Sequence, residues 1–451
     1  MSGRVLFGVV AISLLMSSID ATIVATALPA MHRDLHASIN WVGWSITIYS
    51  LGMIVALPVS GRVSDQLGRR KVFFGGVALF TVASLACGLA GSIYLLIVFR
   101  AVQAIGGGAL QPSAAGIVAD HFGKNRDRAI GLFGTVAAGG QVIGPVFGGL
   151  LVGYLSWRWI FFVNVPIGIV LLCGIILVVP TSQSLRKSRM DVPGLVLMTG
   201  SILALSFGIT SIGNANTTFA DPVFFVPMLI GVALLGAFIR HTVTVPDPFI
   251  PLRLLRAKGF AVMNIINVLW GGLGFGIAAS LAPLYAEERY HLVALDAGTL
   301  LTARGIGALA VGALAAMALR RTGYRLPLIT GFTISAVGTA LMAIAPRWGV
   351  SPYTWLAVGA GIAGLGNGMA NPASRNALLQ VAPDDVAAIT GLRQMFAYVG
   401  IIFSVAIATA ILNRSANPGL TQAHLLWVVV GALVFVMVPL VFRVPEHKGR
   451  W

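Results

Sequence analysis

The sequence predicts an all-α, polytopic membrane protein, and three observations carry that reading. Hydrophobic residues make up 57% of the 451 and charged residues 10%, against roughly 45–50% and 25% in an ordinary soluble domain. The apolar residues gather in runs of about 20, the length a helix needs to cross a bilayer. These runs lack period-2 alternation, and of the two backbones that satisfy their own hydrogen bonds in lipid this leaves helices rather than barrel strands.

Fourteen spans are expected, at residues 5–29, 40–60, 72–90, 92–119, 128–153, 158–179, 192–213, 222–241, 260–284, 294–319, 326–345, 353–379, 386–412 and 422–443. The first follows Arg4, but it is long, contains Asp20 and lacks a clear small-residue cleavage site, so it reads as a retained span rather than a signal peptide. Basic loops recur on one side: GRVSDQLGRRK at 61–71, HFGKNRDR at 121–128, RKSR at 186–189, RLLRAK at 253–258 and LRRTGYR at 319–325. That side holds about 21 Lys and Arg and the other about five, which by the positive-inside rule places both termini in the cytoplasm and the protein in the inner (plasma) membrane. The net charge of +16 is therefore a topology signal facing anionic lipid, not a nucleic-acid footprint. Cys87 and Cys173 lie within apolar runs, so no disulfide scaffold is suggested.

A faint internal repeat organises the spans. GRVSDQLGRRK has a degraded echo in AMALRRTGYRL at 316–326, which aligns Gly68 with Gly323 and Arg70 with Arg325 but puts Arg320 where Asp65 stands. Two related six-helix halves account for it, as in many transporters that bind substrate between repeats. The expected division is a bundle at 1–180, two extra helices with a cytoplasmic linker at 181–258, and a second bundle at 259–451. Glycines cluster within spans, as in GGGAL at 106–110 and GPVFGG at 144–149, where they let helix backbones approach.

One residue stands out on cost. Asp20 lies mid-depth in LLMSSIDATIVATALP, where a charge costs about 2.5–3.5 kcal/mol even on the lenient insertion scale. Desolvation disfavours its ionised form, so such a carboxylate can take a proton from one side and release it to the other when its surroundings change. A structural Asp tied to the backbone or to Ser17, Ser18 or Thr22 is the plainer alternative. Arg100 in span 4 is the natural partner, because a guanidinium cannot shed its proton and Asp20 is the acid placed well inside a span. Gln103, one turn on, can share the network; Arg100 capping carbonyls alone is the other possibility.

Several stretches resemble a known family. GRVSDQLGRRK, through Gly61, Asp65, Gly68, Arg69, Arg70 and Lys71, resembles the loop between helices 2 and 3 of the major facilitator superfamily. LIVFRAVQAIGGGAL at 96–110 and GQVIGPVFGGLL at 140–151 resemble the helix-4 and helix-5 motifs of its drug antiporters. IDATIVATALP in helix 1, WRWIFFVNVPIG at 157–168 and the pair Arg393 and Gln394 resemble the fourteen-span drug:proton antiporter branch. The resemblance implies that Asp65 meets the cytoplasmic end of a helix in the other half and holds the outward-facing state, making Gly61, Asp65, Gly68, Arg69 and Arg70 a conformational gate. It implies further that Gly140, Gly144, Pro145, Gly148 and Gly149 make helix 5 a kinked, tightly packed seal against proton leak.

The expected substrate cavity draws on Trp44, Tyr49, Trp270, Phe275, Met395 and Phe396 as a pliable apolar lining, with Asn371 and Arg393 as polar members. Arg304 either faces this cavity, favouring neutral or anionic substrates, or caps carbonyls or pairs with Asp296 eight residues away and says nothing of substrate. The expected function is export of small amphipathic molecules in exchange for protons by alternating access, from a monomer in the lipid bilayer. No cofactor is expected beyond the proton gradient, since no GxxxxGK[ST] phosphate loop is present. An exporter or flippase of a lipid or specific metabolite is the alternative within transport. A membrane enzyme is not expected, because the seven His are scattered at span ends without metal-ligand spacing.

Overall fold

The computed structural model describes residues 3–446 apart from 38, 124–125, 182–190, 213–216, 247, 249, 251–256, 258, 293, 382–385 and 413. The basic loops at 186–189 and, Ala257 apart, 253–258 therefore lie outside the described residues. No strand occurs among the residues described. The chain runs through α1 (Gly3–Asp34), α2 (Ile39–Leu67), α3 (Arg69–Gly88), α4 (Ile93–Phe122), α5 (Arg126–Tyr154), and a sixth rod broken into α6 (Trp159–Phe162) and α7 (Asn164–Val178). The pair α8 (Val192–Ser211) and α9 (Pro222–Thr244) follows. Then come α10 (Phe260–Leu269) and α11 (Ala278–Tyr290), joined by the π-helical turn Trp270–Ile277, and α12 (Ala294–Thr322), α13 (Arg325–Ala343), α14 (Pro352–Leu379) and α15 (Val386–Leu412). The last rod is α16 (Pro418–Ala432), a second π turn and α17 (Val438–Val441).

Among the described residues, eleven helices are long and apolar enough to cross a membrane, three fewer than the fourteen expected. The other three expected spans fall on α5, on α10 with α11, and on α14. Composition explains the shortfall at two of them: α14 reads GAGIAGLGNGMANPASRN through its middle, and α11 ends in AEERY. Helix boundaries follow local signals. Ser92, Ser351 and Asn417 accept a hydrogen bond from the third residue beyond them at the starts of α4, α14 and α16, and Pro352 and Pro418 occupy first-turn positions where no N–H is missed. Gly68 and Gly323 adopt φ of 96° and 69°, and this left-handed backbone lets the chain turn from α2 into α3 and from α12 into α13.

The chain divides into two compact units, Met1–Ser188 with Pro383–Met395, and Arg189–Ala382 with Phe396–Trp451. In the first unit α4 is central, packed on α2 and α3, while α1 packs on α5. In the second, α14 packs on α12 and α13 in the same way. The repeat extends to detail. Arg70 donates to the Ile176 carbonyl near the end of α7 at 2.8 Å, and Arg325 donates to the Val444 carbonyl beyond α17 at 2.9 Å. Pro112 inside α4 has its counterpart in Pro372 inside α14. Counting back twelve residues from each proline, Arg100 corresponds to Ala360, and counting back nine, Gln103 to Ala363. Helices α8 and α9 pack chiefly on each other, and α9 leaves Phe225, Leu229 and Val232 exposed, as a lipid-facing helix does.

Candidate functional site

Four helices of the first unit bring one polar cluster together in an apolar interior. Asp20 on α1, Ser84 on α3, Arg100 and Gln103 on α4 and Asn164 at the start of α7 are all at most 2% exposed. Arg100 Nη1 donates to Asp20 Oδ2 at 2.7 Å and to Gln103 Oε1 at 2.6 Å. Asp20 Oδ1 accepts from Gln103 Nε2 at 2.9 Å and from Asn164 Nδ2 at 3.0 Å. Gln103 Nε2 also donates to Ser84 Oγ at 2.7 Å, and the Ser84 hydroxyl donates to the Phe80 carbonyl.

Of the two sequence readings of Arg100 the pairing with Asp20 is the one observed, and its Nε donates to the Ser45 carbonyl at 3.3 Å besides. Its guanidinium lies 4.0 Å from the centroid of the Tyr49 ring and 5.7 Å from that of Phe161. Ring faces carry negative potential, so these contacts favour the cation where water is absent. Tyr49, expected as a cavity aromatic, thus supports the ion pair. Beyond the cluster toward the far end of α1, Ile23, Val24, Ala27, Leu96, Trp157 and Phe161 form an apolar core. A charge pair sealed in this way is costly to break, and removing one partner alone costs about 3–5 kcal/mol.

The residues expected at the gate meet at the ends of α2, α3 and α4. Asp65 and Arg69 are buried, with Arg69 Nε 3.7 Å from Asp65 Oδ1. Arg69 Nη1 donates to the Gly116 carbonyl at 2.6 Å and pairs with Asp120. Arg69 thereby ties the start of α3 to the end of α4, with Asp65 of α2 beside it, while Arg70 reaches α7 and Gly61 is buried within α2.

On α5, Gly140, Gly144 and Gly148 repeat every four residues and face Ser18, Thr22 and Thr26 of α1, also four apart. A side chain at any of the three would collide with α1. Gly149 points away into open space. The helix is continuous through Pro145, whose side chain lies outside the described residues.

The remaining expected cavity residues fall on both units. Trp44 is half-buried on α2; Arg393 and Met395 are buried on the first half of α15, and Phe396 is half-buried just beyond. In the second unit the Trp270 ring is buried 4.9 Å from the Phe332 ring. The Phe275 side chain is outside the described residues. Asn371 Oδ1 accepts from Arg375 Nε at 3.0 Å. Arg304 donates to the Gly274 carbonyl in the π turn, a carbonyl contact of the kind one of its sequence readings gave. Asn164, Ser84 and the ring role of Tyr49 were missed in the sequence. The available signal was that Asn164 is the polar residue of WRWIFFVNVPIG after Arg158.

A membrane-spanning protein of two like helical units, one enclosing an ion pair, has the build of a secondary transporter. The chain belongs to the Major Facilitator Superfamily, whose family model matches residues 10–276 and 265–451, a family of transporters rather than enzymes. It is 30% identical over 415 residues to the "Multidrug resistance protein B homolog" of Mycobacterium tuberculosis, covering 91% of this chain and 76% of that one. It is 32% identical over 421 residues to the "Puromycin resistance protein pur8" of Streptomyces alboniger, covering 91% and 81%. In fold it resembles the crystal structure of the human organic anion transporter MFSD10, with TM-score 0.68 at 14% identity, covering 96% of this chain and 100% of that one.

Proposed function

We propose that this transporter exports small amphipathic molecules in exchange for protons, as a member of the fourteen-span drug:proton antiporter branch. Alternating access would run between bundles at 1–180 and 259–451, with 181–258 supplying two extra helices and the linker. The observation that carries the reading is Asp20, fully buried at mid-span and bonded to Arg100, Gln103 and Asn164. A carboxylate kept in such a place at such cost suits proton exchange. The resistance proteins among its relatives support drug-like substrates. The proton gradient is the energy source, and the protein works as a monomer in the plasma membrane with both termini cytoplasmic.

The test is transport by purified protein in proteoliposomes under an imposed pH gradient, with cationic, neutral and anionic dyes compared. Asp20→Asn is expected to abolish uphill efflux while leaving dye binding and downhill exchange intact. Uphill efflux undiminished in that variant would falsify proton coupling through Asp20.

A further inference from the structure

Every hydrogen bond on the Asp20 carboxylate comes from a donor. Oδ2 faces Arg100 Nη1, and Oδ1 faces the amide N–H groups of Gln103 and Asn164. Oδ1 accepts two of these bonds, so a proton placed on it would point its new O–H at another N–H. Proton uptake at Oδ1 therefore requires one of its two partners to change from donor to acceptor.

The three partners differ in their ability to do so. Arg100 has donors only. Gln103 has an acceptor, but its Oε1 already takes Arg100 Nη1 at 2.6 Å, and turning the amide would set its NH2 group against the guanidinium. Asn164 is under no such restraint. Its other bond, to Ser84 Oγ, is 3.5 Å long, and the Ser84 hydroxyl can swing from the Phe80 carbonyl toward a turned amide. The titratable groups packed around the site are Arg100 on α4, Tyr49 on α2 and Cys87 on α3, whose thiol lies 3.8 Å from Gln103 Oε1. Among the described residues of α5 that face α1, Gly140, Gly144 and Gly148 bring no ionisable group.

We infer that Asn164 is the positioning residue that follows the proton, donating to ionised Asp20 and turning its amide to accept from the protonated acid. The proton enters from the aqueous phase onto Oδ1, forming an O–H that donates to Asn164 Oδ1. Gln103 Nε2 keeps the remaining lone pair of that oxygen, and Arg100 keeps Oδ2, so the protonated site is as fully satisfied as the ionised one. This allows Asp20 to change charge without separating first from Arg100. The inference rests on the proposed proton exchange at Asp20.

The experiment is infrared titration of the full chain in lipid, following the carboxylic-acid C=O band that disappears in Asp20→Asn. Because Asn164 serves both charge states, Asn164→Leu is expected to move the titration midpoint by less than about half a pH unit, while shifting the acid band upward as the O–H loses its acceptor. Asn164→Ser, whose hydroxyl both donates and accepts, should restore the band and the transport rate. If Asn164 only donates, the midpoint in Asn164→Leu rises by about one unit or more with the band unmoved, and the inference is overturned. Should Asn164→Leu fail to fold, Asn164→Ser decides alone: a raised midpoint with an unmoved band again overturns it. Absence of any band lost in Asp20→Asn would instead sink the proton-exchange reading, independently of Asn164.

Discussion

Two aspartates on α1 show how surroundings assign different tasks to one side chain. Asp20 is sealed among donors, whereas Asp34, at the far end of the helix and about half exposed, accepts from Trp157 Nε1 at 2.9 Å and from Arg158. Arg158 also lies over the Trp157 ring, so the α5–α6 turn is clipped to the end of α1. The hydrogen bond from Arg158, then that from Trp157, holds the Asp34 carboxyl below its ordinary range. The ionised form thus favours folding: the contribution is full above the unfolded value near 3.8 and is lost only as pH falls through the lowered folded value. Asp34→Asn should therefore lower stability by about 1 kcal/mol, by the same amount from pH 8 to pH 5, as read by thermal unfolding in detergent. A penalty that changes between pH 8 and pH 6 would rule out this account.

At the scale of elements, what the sequence reveals depends on whether a feature is costly in itself or only in company. Asp20, Arg100 and Gln103 were legible because charge in an apolar run announces its expense and Arg100 needs an anion. Asn164 and Ser84 were not, since an amide or hydroxyl in a span is cheap and its partner is set by packing between helices. The helix-5 motif shows the same limit. Its glycines look alike in sequence, yet Gly144 abuts Thr22 of α1 while Gly149, five residues on, faces open space. Gly144→Ala should therefore destabilise by about 1–3 kcal/mol through forced separation of α1 and α5. Gly149→Ala should stay within about 0.5 kcal/mol of the parent. Equal melting temperatures for the two variants would show that α1 and α5 do not depend on that close approach.

At the scale of the whole molecule, the two units share a plan but not a chemistry. The turn at Gly68 and Arg70 is matched at Gly323 and Arg325, whereas the positions of Arg100 and Gln103 correspond to Ala360 and Ala363. One copy keeps the charged cluster and the other keeps the packing, so the proposed proton exchange would fall to the first unit. The helix 2–3 motif is likewise one-sided, since Arg320 stands where the first copy has Asp65. Arg69 is held independently by Gly116 and Asp120, so neutralising Asp65 removes a charge without releasing the α3–α4 tie. Asp65→Asn is accordingly a test of gating rather than of folding. If Asp65 stabilises the outward-facing state by about 1 kcal/mol, its loss shifts the population toward inward opening about fivefold. A cysteine introduced by Asn371→Cys, with Cys87 and Cys173 replaced, should then react about fivefold faster with a membrane-impermeant thiol reagent in inside-out vesicles. Labelling at the parent rate would mean that Asp65 serves the local fold alone and that the gate lies elsewhere.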